Sequence, residues 1–74
     1  MRTEEIKFLI DSLVEDMATY LMEDKNMSMT EALDTVYNSQ TYDKIKDVST
    51  GLYFQSSDYN YDILKHELKY GKVG

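Results

Sequence analysis

Cysteine, proline and tryptophan are missing from this chain, glycine occurs three times and histidine once. Without cysteine there are neither disulfides nor thiolate metal sites. One histidine leaves the usual three- or four-ligand zinc sets short of imidazoles. The lack of proline and rarity of glycine remove the two commonest helix breakers. No apolar run reaches the ~18 residues of a membrane span. The apolar run at residues 8–10 stops at Asp11, too soon for the core of a signal peptide. A basic patch is missing too, so direct binding to a nucleic-acid backbone is disfavoured. So are a glycine-rich phosphate loop, a nucleophile elbow around Ser56 and Ser57, and the E-x-x-H pairs of di-iron bundles. These absences point to a soluble, cytoplasmic protein. They argue against an enzyme, against a cofactor or metal, and against direct contact with nucleic acid or membrane.

What remains is a short acidic chain. Its 74 residues make one domain at most, spanning 1–74. A chain this small buries roughly 60% of its unfolded surface, which leaves little net stability. With disulfides excluded, self-association is the expected extra support. The net charge is −6, from 14 acidic and 8 basic residues. Residues 1–26 hold 7 acids and 3 bases, whereas residues 51–74 are balanced. Such asymmetry favours solubility or docking onto a basic partner.

Hydrophobic spacing predicts an all-α fold, a bundle of three to four helices. The first helix is expected over residues 4–24, capped by Thr3, with Glu4 and Glu5 at the positive end of its dipole. Its apolar positions run from Ile6 through Leu9, Ile10, Leu13, Val14, Met17, Ala18 and Tyr20 to Leu21. At 100° per residue they cover about half the circumference, which suits a central helix or one shared with a dimer interface. Ser28 and Glu31 form a capping box for a second helix, with Met27 and Ala32 at the staple positions. Its inner stripe is Met29, Ala32, Leu33, Val36 and Tyr37, and it ends near Asn38, a residue that tolerates left-handed backbone. A short third helix follows, capped by Ser39 or Thr41, with Tyr42, Ile45 and Val48 facing inward. Residues 50–56 break the period, so an irregular or extended segment is expected there, and residues 52–55 could pair as a strand with a second copy. The last helix spans 57–70, capped by Ser56 or Ser57 and stopped by Gly71. Gly51, Gly71 and Gly74 all lie outside the periodic segments.

The residue types that could carry chemistry are few. Tyrosines at helical spacing mark packing, with rings inside and hydroxyls at the rim. Tyr59, Ile63 and Tyr70 share one edge of the last helix, and Tyr61, Leu64 and Leu68 another. Asn60 and Glu67 lie between them. They are a polar gap facing water, a hydrogen-bonded pair that fixes the conformation, or a functional carboxylate; a partner would come from the 50–56 segment or the Tyr37 or Tyr42 hydroxyl. Asp62 and His66 sit four apart on one helix face, and with Glu67 they make the weakest alternative, a metal-assisted enzyme. Phe8 breaks the pattern of the first helix. It falls on the polar side among Ser12, Glu15 and Thr19, with Met22 about 40° away on the wheel. Phe8, Met22 and the loop residues Leu52, Tyr53 and Phe54 are therefore the candidate contacts with a protein partner or with a second copy in a homodimer.

Three segments carry a resemblance. Ala32, Leu33, Tyr37, Asn38, Ser39 and Tyr42 fit A-L-x-x-x-Y-N-S-x-x-Y. Thr50, Gly51, Leu52, Tyr53, Gln55 and Ser56 fit T-G-L-Y-x-Q-S, and Leu64, Lys65, Glu67 and Leu68 fit L-K-x-E-L. Over residues 28–70 the chain resembles a family of short bacterial proteins, some of which look like partners in small operons of toxin–antitoxin type. Ser57 stands where that pattern carries proline, at a helix start. The resemblance implies an all-helical domain and no catalytic residues. The function expected is a non-enzymatic protein–protein interaction module, regulatory in character; the alternative is a purely structural homodimer.

Overall fold

A computed structural model describes residues 2–71. The chain is a small all-α bundle: α1 (Thr3–Lys25), α2 (Met29–Tyr37), α3 (Gln40–Lys46) and α4 (Ser57–Tyr70). Two single 3-10 turns, Val48–Thr50 and Leu52–Phe54, join α3 to α4. No strand occurs among the described residues, and the segment expected to be irregular or extended winds as two single 3-10 turns. Gly74 lies outside the described residues.

Local chemistry accounts for the helix boundaries. Arg2, not Thr3, is the N-cap of α1, because the Arg2 carbonyl already accepts from the Ile6 N–H at 3.1 Å. Asn26 ends α1 in the left-handed region at φ 56°, a conformation that asparagine tolerates better than most residues. Asn38 ends α2 as expected, but at φ −96° rather than in the left-handed region. The capping box of α2 is present in full: the Ser28 hydroxyl accepts from the Glu31 N–H at 3.1 Å, and Glu31 accepts from the Ser28 N–H at 3.4 Å. Ser39 caps α3 through the Tyr42 N–H, and Ser56 caps α4 through the Tyr59 N–H. Gly71 stops α4 at φ 79°, where a side chain would be strained.

α1 packs most extensively on α2 and next on α4. Leu13, Val14, Met17, Ala18 and Leu21 supply its buried side, against Ala32 and Val36 of α2, Ile45 of α3, and Tyr61 and Leu64 of α4. Leu21 and Leu64 are fully buried, and each such side chain stabilises the fold by about 1.5–3 kcal/mol. Ile45 of α3 is buried as expected and Tyr42 partly so, but Val48 is exposed. In its place α3 buries Thr41, whose hydroxyl has a partner on α4. Tyr53 and Tyr61 are core residues, Tyr20 and Tyr42 are half-buried, and Tyr37, Tyr59 and Tyr70 are exposed. The two edges assigned to α4 are thus only partly buried, and Leu68 is also exposed. α4 packs on α1 and α3, and Tyr59, Leu68 and Tyr70 lie outside both contacts.

Candidate interaction surface

The polar residues between the two edges of α4 serve the interior. Glu67 turns both carboxylate oxygens onto the first turn of α3. One accepts from the Gln40 N–H at 2.8 Å; the other accepts from the Thr41 N–H at 2.9 Å and the Thr41 hydroxyl at 2.7 Å. Burial by itself raises the Glu67 carboxyl, but these three donors outweigh it and hold the group below its ordinary value. The partner is thus a helix N-terminus, not the 50–56 segment or a tyrosine hydroxyl. Asn60 is fully buried and donates from Nδ2 to the carbonyls of Leu52 at 3.0 Å and Ser56 at 3.1 Å. It anchors the second 3-10 turn to α4 by donating to carbonyls rather than by accepting from a loop donor.

The same geometry takes Glu67 away from the Asp62–His66 face. Asp62 approaches Lys65 at 3.3 Å, and the His66 ring lies against Tyr70 at 4.6 Å. Among the described residues no three histidine, aspartate or glutamate side chains converge as a metal ion would require. Tyrosine and aspartate instead tie α1 to α4. The Tyr61 hydroxyl donates to Asp24 at 2.9 Å, and its ring meets that of Tyr20 at 5.0 Å. Burial first, then the Asp24 carboxylate, pushes the Tyr61 hydroxyl up to about 12.

Two features of the surface are not absorbed by the core. The first is apolar. Phe8 is 70% and Phe54 61% exposed, although they are the chain's only phenylalanines. Phe8 borders a shallow hollow with Glu4, Glu5 and Leu9; Phe54 borders an adjoining one with Leu9 and Leu13. Leu9, shared by both hollows, was assigned to the inner stripe of α1, and no feature of its spacing distinguishes it from Leu13. Of the loop residues expected to meet a partner, only Phe54 is largely exposed: Tyr53 is buried in the core and Leu52 is half-buried. Tyr53 therefore leaves the set of contact candidates.

The second feature is a groove of about 650 Å³ between α1 and α2. Half-buried Met22 lines it, together with Met29 and Tyr37. Met29 is 62% exposed and Tyr37 is exposed as well, although both were placed on the inner stripe of α2. They stand at the first and last positions of a nine-residue helix, outside its buried pair Ala32 and Val36.

Among the described residues no helix is long and apolar enough to cross a membrane. Neither protein-family models, nor curated proteins, nor solved structures gave a match to this chain.

Proposed function

We propose that this chain is a non-enzymatic protein–protein interaction module with a regulatory role in the bacterial cytoplasm, an operon partner of antitoxin type. The observation that carries the reading is the exposure of Phe8 and Phe54 on either side of Leu9. A phenylalanine left in water forgoes about 1.5–3 kcal/mol of burial, and two bordering hollows that share Leu9 make an apolar surface of the kind that partners cover. The partner is a basic polypeptide. α1 and α2 together carry nine acidic side chains against two basic ones, while residues 38–74 hold five of each. Glu4 and Glu5 border the Phe8 hollow, so a second copy seated there would bring carboxylates together.

The double variant Phe8→Ser, Phe54→Ser tests this. Both side chains are exposed, so folding stability should stay within about 0.5 kcal/mol. Wild-type chain is expected to retain a basic polypeptide from the native cell, and the purified partner should rebind less tightly as salt is raised. The variant should lose it. Equal retention by the variant overturns the reading, and so does sedimentation showing wild-type dimers with no other partner.

A further inference from the structure

We propose that the groove between α1 and α2 is a docking site for a basic amphipathic helix; the inference rests on the interaction-module reading and adds a second contact surface, beyond Phe8 and Phe54, with its chemistry. Val14 and Ala18, both buried, form the floor. Ala18 and neighbouring Thr19 are small, which lets a third helix approach at the 8–10 Å typical of packed helix axes. Met22, Met29 and Leu33 supply the apolar walls. Methionine is unbranched and polarisable, so such walls adapt to a partner's side chains. From Lys7 to Met22 the groove follows α1 for ~22 Å at 1.5 Å per residue, the length of a helix of about 15 residues.

Charge selects the occupant. Asp11 and Glu15 stand on the rim. Lys7 also lines the groove, but Asp11 holds its ammonium at 2.9 Å and raises its pKa. Glu15 has no ion pair among the described residues. α2 carries Glu31 and Asp34 and no basic residue. A helix with an apolar face flanked by lysine or arginine complements these walls and this rim. A second copy does not. Phe8, Glu15 and Met22 are spaced by seven along one stripe of α1, so two antiparallel copies meeting on that stripe would set Glu15 against Glu15.

The test uses the full chain with labelled methionine methyl groups and a synthetic leucine–lysine amphipathic helix of about 15 residues. The methyl resonances of Met22 and Met29 should shift on titration, while that of fully buried Met17 stays in place. Glu15→Lys and Met29→Glu, both at exposed positions, should each weaken binding about tenfold or more. Glu23→Lys, which makes the same charge change outside the groove, should weaken it far less. A leucine–glutamate helix of the same pattern should not bind. Unmoved Met22 and Met29 resonances overturn the proposal. So does equal loss for Glu23→Lys and Glu15→Lys, or Met22 and Met29 shifts that depend on the protein's own concentration. If the groove fails while the Phe8, Phe54 variant still loses its partner, the module reading stands and only this site falls.

Discussion

Glu67 and Thr41 lie 26 residues apart and are joined twice, through the Thr41 N–H at 2.9 Å and its hydroxyl at 2.7 Å, both to one carboxylate oxygen. The contact completes the N-terminus of α3. A helix leaves its first four N–H groups without intrahelical partners. Here the Ser39 N–H donates to the Val36 carbonyl, Gln40 and Thr41 donate to Glu67, and Tyr42 donates to the Ser39 hydroxyl. A seven-residue helix is too short to persist alone in water, so α3 depends on its tertiary contacts: the burial of Ile45 and Thr41 and the cap that Glu67 of α4 supplies.

Glu67→Gln keeps the shape but sets an amide N–H against a backbone N–H. We expect a loss of about 1–3 kcal/mol, read as a fall in Tm of about 4–8 °C per kcal/mol. Thr41→Val removes only the hydroxyl and should cost about half as much or less. In a double-mutant cycle the two changes should be non-additive. Additive effects would show that the carboxylate does not act through Thr41.

The same contact sets a pH dependence. The folded Glu67 carboxyl titrates below its ordinary value of 4.5. Unfolded chain then binds more protons than folded chain as the pH falls below that value. The stability that Glu67 contributes is full above pH 4.5 and is lost as the pH falls through the folded pKa. Urea unfolding measured across that window should show a steeper acid decline for wild type than for Glu67→Gln. Parallel curves would remove Glu67 from the account of acid sensitivity.

Asn60 gives a second, sharper test. Its Nδ2 faces two carbonyl oxygens, so Asn60→Asp turns a donor into a carboxylate aimed at acceptors. Asn60→Ala leaves a small cavity and two carbonyls that keep other partners: Leu52 accepts from Gln55, and Ser56 from the Asn60 N–H. We expect alanine to cost about 1–3 kcal/mol and aspartate to cost more at neutral pH. The gap should narrow in acid, where the carboxyl regains a proton. Aspartate tolerated as well as alanine at pH 7 would mean that the amide donor is not needed.

Tyr61 governs the alkaline side. Its hydroxyl is raised from 10.0 to about 12 by burial and by Asp24, so folded chain holds its proton where unfolded chain releases it. The contribution is full below pH 10 and is lost as the pH rises to about 12, amounting to roughly 2–3 kcal/mol over that span. Ultraviolet titration of wild type and Tyr61→Phe should assign to Tyr61 the late ionisation that accompanies unfolding. Tyr61→Phe should flatten the alkaline fall in stability, and a variant as steep as wild type would contradict this origin.

Local signals in the sequence were enough for the fold. The capping box at Ser28 and Glu31 and the Gly71 stop act over three or four residues, so composition and spacing expose them directly, and the same signals narrow the other caps to Ser39 or Thr41 and to Ser56 or Ser57. The candidate surface was legible only in part. Phe8 announced itself by breaking a periodic pattern, and Phe54 lay in a break of the period. Tyr53 lay in the same break but is buried, because successive side chains of a 3-10 turn point about 120° apart and the core-facing position falls to Tyr53.

The sequence by itself determined an all-α bundle of three to four helices, the capping box of α2, the Gly71 stop, and a charge excess confined to the first half of the chain. Each of these depends on residues close in sequence. Tertiary structure alone decided that Glu67 would reach the start of α3, that Asn60 would be sealed beneath the Leu52 turn, and that Met29 and Tyr37 would overhang a groove. A helical wheel gives the direction of a side chain around its axis, but not which surface of another element stands opposite it. Burial of a polar group and exposure of an apolar one are settled by that placement.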